Sequence, residues 1–300
     1  MPTKITIGST TSTDRLDKVY VLLNSIKKNK QPDTEIAYTL FVKFTPDKDA
    51  NYCYEYFKSL ISDDFSISIQ DVDIFKELVN MPYRDHMYYA KCLFADYFED
   101  LDRVLFLDVD LAFVRPGIEA LWIQDITDYY LGAVIDPTWQ YCPYYKHDLI
   151  NTKTKNYFNA GVILFNLKAL REYGKDKQLR EWCDRWHFRE LQYICFDQTL
   201  LNYLLKDKVK LINFKYNNTL LASLGCAKNA YTYYLNSVGY LDPLDSLDQA
   251  VVMHFCGSKK PWDAEALRCS EAEYPYKEEA IKYWADIYNC YKKPEIDGII

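Results

Sequence analysis

Apolar positions along the chain follow two alternating rhythms. Residues 4–9 form a short apolar run, residues 36–42 alternate, and Phe65, Ile67 and Ile69 alternate again, which predicts three strands. Between the first two, Leu16, Val19, Tyr20, Leu23 and Ile26 recur at helical spacing, with Asp14 as the expected N-cap. Residues 88–98 read as a helix. The run Val104-Leu105-Phe106-Leu107 is continuous and apolar between charges, the pattern of a strand buried on both faces, and 132–135 and 161–165 repeat it. Helical segments are expected over 167–172, 176–190 and 197–206, short strands over 209–212 and 251–253, and a last helix over 277–290.

This order predicts an α/β fold, with helices packed on a largely parallel sheet in one continuous domain. No internal repeat, low-complexity tract or linker interrupts it. In such sheets ligands sit beyond the carboxyl ends of the strands, so chemistry is to be sought just after the apolar runs. Residues 266–300, polar and aromatic, are expected to form a C-terminal helical extension packed on a domain spanning 1–265.

Composition narrows the function classes. The 300 residues carry 36 basic and 43 acidic side chains, net −7, with 49% hydrophobic residues. That is globular, and it lacks the basic surplus of a nucleic-acid binder. No apolar run approaches a membrane span, and the N-terminus lacks the long apolar region of a signal peptide, so the cytoplasm is the expected compartment. Nine cysteines, an odd number without a Cys-x-x-Cys pair, read as reduced and mostly buried thiols. The 28 tyrosines suit a sugar-binding surface, apolar in the ring and polar at the hydroxyl, though gene composition alone produces the same bias.

The Asp-x-Asp pattern occurs four times, at 47/49, 71/73, 100/102 and 108/110, close to chance for 29 aspartates, so position must decide among them. Asp71/Asp73 follow an alternating strand and are a rival. Asp108/Asp110 follow the most apolar strand of the chain, where paired carboxylates at a sheet rim need a neutralising partner. A divalent cation serves, and hard oxygen ligands suit Mn²⁺ or Mg²⁺. His254 ends another apolar run and is expected at the same sheet edge. Lys260 follows in a Gly-containing loop able to approach a phosphate. Two carboxylates, an imidazole and a lysine together describe a metal-bound diphosphate. Asp197-Gln198 opens a predicted helix, and Asn159-Ala160-Gly161 precedes a buried strand.

These segments resemble glycosyltransferase family 8, the family of glycogenin and the bacterial lipooligosaccharide galactosyltransferases. The resemblance rests on Phe106-Leu107-Asp108-Val109-Asp110, Phe158-Asn159-Ala160-Gly161-Val162, Asp197-Gln198 with Leu200-Leu201-Asn202, and His254-Phe255-Cys256-Gly257 through Lys260-Pro261-Trp262, and it runs from about residue 4 to about residue 265. It implies a GT-A fold, a Rossmann-like mostly parallel sheet that binds a UDP-sugar with Mn²⁺ and transfers the sugar with retention. It implies that Asp108, Asp110 and His254 hold the metal, that Lys260 and Gly257 touch the diphosphate, and that Lys91, Asp136, Asn159, Asp197 and Gln198 surround the donor, Asp197 and Gln198 being the catalytic candidates. Thr10 and Asp14 stand where the nucleoside is read. There the segment Gly8-Ser9-Thr10-Thr11-Ser12-Thr13-Asp14 is longer and richer in hydroxyls than the acidic patch of the bacterial relatives. Thr199 replaces an acid of those relatives, and residues 217–225 contain no Tyr for self-glucosylation, leaving Tyr231, Tyr233 and Tyr234 as distant candidates.

The expected partners are a UDP-sugar donor and a glycan or protein hydroxyl acceptor, with the protein a monomer or homodimer. The competing class is a carbohydrate-binding module of the same fold without turnover. A nicotinamide oxidoreductase is excluded, because no Gly-x-Gly-x-x-Gly follows the first strand. A glycoside hydrolase would not need the diphosphate lysine loop.

Overall fold

The computed structural model describes residues 2–77, 86–136, 154, 156–185, 196–219, 247–256, 260, 262 and 277–294. Its strands are β1 (Thr3–Ser12), β2 (Thr34–Lys43), β3 (Phe65–Asp71), β4 (Arg103–Leu107), β5 (Leu111–Phe113), β6 (Leu131–Ile135), β7 (Phe158–Asn166), β8 (Val209–Leu211) and β9 (Val252–His254). Its α-helices are α1 (Leu16–Asn29), α2 (Ala50–Phe57), α3 (His86–Tyr89), α4 (Phe94–Tyr97), α5 (Ile118–Trp122), α6 (Leu167–Glu172), α7 (Lys175–Arg185), α8 (Phe196–Leu205) and α9 (Lys277–Tyr291).

Seven strands form the central sheet in the order β3-β2-β1-β4-β7-β6-β8. Neighbours run parallel except where β7 meets β4 and β6. The alternation within β4 shows why its sequence is apolar throughout. Leu105 and Leu107 join the core beneath α1, whereas Val104 and Phe106 join the opposite core with Phe94, Leu179 and Leu200. Successive side chains of a strand point to opposite faces, and here both faces are covered. Among the described residues no helix is long and apolar enough to cross a membrane.

Three local expectations change. β1 continues through Ser12, paired with Lys43, so residues 13–15 form a 3-10 turn and α1 starts without a side-chain cap; Asp14 is not its N-cap and instead accepts a hydrogen bond from the Ser12 hydroxyl. The helix expected over 88–98 is broken by a 3-10 segment at Ala90–Leu93. Around this break Met87 and Tyr89–Ala95 are all buried, which leaves little of the polar face that sustains a regular amphipathic helix. β9 does not join the main sheet but pairs antiparallel with β5, Leu111 opposite His254.

The rival acidic pairs have local uses. Asp49 caps α2 by accepting from Tyr52 N–H at 2.8 Å, and Asp71 accepts from Asp73 N–H at 2.9 Å in an exposed turn beyond the edge strand β3. The C-terminal helix α9 lies on α1: Tyr288 donates to Asp17 at 3.1 Å, Asn29 donates to the Tyr291 hydroxyl at 3.0 Å, and Ile287 enters the core. Cys53, Cys92 and Cys183 are free and buried, while Cys290 is exposed.

Candidate functional site

The carboxyl ends of β1 and β4 open into a cleft of about 640 Å³, within the usual range of small-molecule sites. Its walls include Thr10, Thr11, Arg15 and Lys18 from the first strand, the 3-10 turn and α1, Lys91, Asp108 and Asp110 from the centre, Asp197 and Gln198 from α8, and Lys260 with Trp262.

β4 delivers the acidic pair. Asp108 N–H donates to Gly161 O at 2.8 Å, which carries the β4–β7 pairing one residue past the strand. The chain then bends and enters β5, whose partner β9 ends at His254. The small second sheet is thus what brings His254 to the rim. His254 Nε2 lies 3.3 Å from Asp110 Oδ1 and 4.0 Å from Asp108 Oδ2, and one ligand atom from each of the three residues falls within 4.8 Å of the others. Donor atoms at about 2.1 Å from a six-coordinate cation stand about 3 Å apart, so modest closure brings all three onto one ion. Two carboxylate oxygens and an imidazole nitrogen suit a divalent cation such as Mn²⁺ or Mg²⁺, the nitrogen favouring the former.

Two lysines balance these charges. Lys91, buried in the 3-10 segment, sits with Nζ 2.8 Å from Asp197 Oδ2 and 3.2 Å from Asp108 Oδ1, donates to Ala160 O at 3.3 Å, and lies 4.1 Å from the Phe106 ring centre. Burial alone would push this ammonium down, but the Asp108 and Asp197 carboxylates overcome it and hold Lys91 above the usual lysine range. Burial pushes the Asp197 carboxyl up, against the attraction of Lys91. Lys260 donates to Asp110 Oδ2 and to Phe255 O, both at 2.6 Å. Burial works against ionisation of Asp110, yet the Lys260 ammonium holds it well below the ordinary carboxylate range.

Behind the wall runs a buried amide network. Gln198 Oε1 accepts from Ala160 N–H at 2.9 Å and its Nε2 donates to Asp136 Oδ2 at 3.1 Å, which fixes both ends of the carboxamide. Asn159 Nδ2 donates to the same Asp136 oxygen at 3.4 Å. Asp136 and Asn159 therefore stand behind Gln198 rather than on the cleft wall. Asp14 is exposed and outside the lining, where Thr10 and Arg15 are found instead. Gly257, and Tyr231, Tyr233 and Tyr234, lie outside the described residues.

Arg15, Lys18 and Asn217 escaped the sequence reading. No periodicity marks Arg15 or Lys18 as facing a cleft, and Asn217 reaches His254 from another part of the chain through the bridge between Asn218 and Met253. A glycine needed for close approach was legible only as a motif: a Cβ on Gly161 would fall 2.3 Å from His254 Cε1.

The family model described as glycosyl transferase family 8 matches residues 6–266. A provisionally named glycosyltransferase of Haemophilus influenzae is 29% identical over 175 residues, 58% of this chain and 48% of that protein. General stress protein A of Bacillus subtilis is 25% identical over 189 residues, 62% of this chain and 59% of its own length. The chain thus spans about half the length of these relatives. Among solved structures, the galactosyltransferase LgtC in complex with donor and acceptor sugar analogs aligns over 98% of both chains with a TM-score of 0.69 at 22% identity. The glycosyltransferase GlyE of Streptococcus pneumoniae aligns over 99% of this chain and 67% of its own, with a TM-score of 0.61 at 19% identity. These likenesses establish the fold as GT-A in a single domain. With its family model covering residues 6–266 of the 300, the chain belongs to glycosyl transferase family 8.

Proposed function

We propose that this chain is a retaining hexosyltransferase that moves glucose or galactose from a UDP-sugar to a hydroxyl of a glycan or protein, with Mn²⁺ held at Asp108, Asp110 and His254. One observation carries the reading: the ligand atoms of these three residues converge within 4.8 Å, and two of them stand on the wall of a cleft that Lys91 and Lys260 also line.

The bound cation would supply charge neutralisation to the diphosphate as negative charge grows on it. The residues of the chain do the rest. Asp108 and Asp110 are carboxylates at the rim, paired with Lys91 at 3.2 Å and with Lys260 at 2.6 Å. Lys260 is placed to donate to a phosphate oxygen once its hold on Asp110 is shared with the ligand. The bond between the anomeric carbon and the β-phosphate oxygen breaks, and the acceptor oxygen bonds to the same face. The acceptor proton passes to the departing phosphate oxygen, so no protein base is consumed. Asp197 is an unsuitable nucleophile, because its carboxylate is ion-paired with Lys91 at 2.8 Å. With Gln198 it lines the cleft, and their oxygens are suited to an oxocarbenium-like sugar.

A panel of UDP-sugars with Mn²⁺, followed by UDP release with and without acceptor hydroxyls, tests this. UDP-glucose or UDP-galactose is expected to turn over, excess EDTA to stop it, and the product to keep the donor's anomeric configuration. Donor binding without release from any sugar would favour the binding-module reading. A covalent glycosyl group trapped on Asp197 would overturn the same-face route.

A further inference from the structure

The amide network assigns the proton on His254. Gly161 N–H donates to Asn159 Oδ1 at 2.9 Å, and Asn217 Nδ2 approaches the same oxygen at 2.9 Å. A backbone N–H only donates, so the Asn159 atom it meets is the carbonyl oxygen. The Asn217 atom that faces this oxygen is then the amide nitrogen. The other Asn217 atom, its oxygen, stands 2.9 Å from His254 Nδ1. A carboxamide oxygen only accepts, so Nδ1 carries a hydrogen. In the neutral ring this leaves Nε2 bare, and Nε2 is the nitrogen that faces Asp110 and Asp108.

Nothing in this chain of assignments is loose. Asn217 and Asn159 are 0% and 8% exposed, and His254 is 3% exposed. Asn217 N–H donates to Phe214 O at 3.0 Å, and the next residue is laced to β9, Asn218 N–H to Val252 O at 2.9 Å and His254 N–H to Asn218 O at 3.0 Å. The imidazole rests on the bare Cα of Gly161, which closes the space a ring swing would need. Left to the two carboxylates alone, the ring would place its hydrogen on Nε2, toward the negative charge, and Nε2 could not then ligate.

We propose that Asn217 is a positioning residue that fixes His254 as the Nδ1–H tautomer, so that the Nε2 lone pair is presented with Asp108 and Asp110 to a divalent cation. The inference rests on the metal reading above and names what makes the third ligand competent. Partners of this kind, one bond removed from the metal, typically change metal affinity 10- to 100-fold when removed.

The test begins with the unaltered protein. Nitrogen NMR of isotope-labelled histidine, with Mg²⁺ and UDP bound, is expected to show His254 protonated at Nδ1 and unprotonated at Nε2; the reverse pattern overturns the inference. Mn²⁺ binding in the presence of UDP is then read from the resonance of free Mn²⁺. Asn217→Leu, similar in size without an acceptor, is expected to bind about 10- to 100-fold more weakly. Asn217→Asp, which restores an acceptor toward Nδ1 but turns its second oxygen against Asn159 Oδ1, is expected to recover part of the affinity that Asn217→Leu loses. Equal affinity in Asn217→Leu, or equal losses in both variants, overturns the assignment, and if Asn217→Leu does not fold, the unaltered spectrum and Asn217→Asp decide it. Unaltered protein that binds no Mn²⁺ even with UDP would refute the metal reading itself, whereas binding that is indifferent to Asn217→Leu refutes only this inference.

Discussion

Replacing Gly161 by alanine perturbs His254, the proposed third metal ligand, without touching its chemistry. Built on the existing backbone, the new Cβ would lie 2.3 Å from His254 Cε1, 2.8 Å from its Nδ1 and 3.0 Å from Asn159 Oδ1. Ordinary contact begins near about 3.5 Å, so the ring must retreat by about 1 Å or β7 must give way. Metal ligands tolerate displacements of only about 0.2 Å, so Nε2 would leave its place beside Asp110. Overpacking of this kind costs about 1–3 kcal/mol, a few degrees in Tm, which a folded chain of this size survives. The expected result of Gly161→Ala is a protein that melts slightly earlier and binds Mn²⁺ at least about tenfold more weakly. Gly132→Ala is the control, because the nearest atoms to its Cβ would belong to the apolar Ile212 and Ile126 side chains. It is expected to lose stability and keep its Mn²⁺ affinity. Gly161→Ala with unchanged Mn²⁺ affinity would refute the placement of His254 against this glycine, and with it the ligand set.

Other perturbations reach different parts of the same argument. Lys91→Met leaves Asp108 and Asp197 without the buried cation between them, and removing one partner of a buried pair costs about 3–5 kcal/mol; a loss under about 1 kcal/mol in urea unfolding would contradict the cage. Asp110→Asn is expected to abolish Mn²⁺-dependent UDP release, and near-normal turnover would end the metal assignment. Lys260→Ala is expected to weaken UDP binding and slow transfer, while unchanged UDP affinity would separate Lys260 from the diphosphate. Alkali tests the tyrosine packing. Burial pushes Tyr56 up to about 12, and Tyr38 and Tyr288 higher, whereas an unfolded tyrosine ionises near about 10. The folded chain then holds protons the unfolded chain has shed, so stability is full below about pH 10 and falls as the pH rises beyond it. Tyr288→Phe is expected to flatten the fall in Tm between about pH 9 and pH 11; an identical profile would show that α9 is not held there by that hydroxyl.

The central sheet was legible because its strands carry their burial in their composition. The continuous run of β4 and the alternation of β2 and β3 announce which faces are covered before any contact is known. The acidic pair was legible by the same logic, since it follows the strand whose both faces are buried. Where segments depend on distant neighbours, the pattern was silent. The break at Ala90–Leu93 places Lys91 between two carboxylates supplied by residues 108 and 197, and no local periodicity encodes that meeting.

Linear order by itself thus determined the layered α/β architecture, the family resemblance and the identity of several residues that line the cleft. Only the tertiary structure decided how they act together. It moved His254 off the main sheet onto a two-stranded ribbon with β5, put Asp136 and Asn159 behind the wall instead of on it, and joined Asn217 to the imidazole. The physical reason is one of range. Hydrophobic periodicity is set within one element by burial, whereas hydrogen-bond direction and charge balance are set between elements far apart in the chain, where each donor must find the acceptor that folding brings to it.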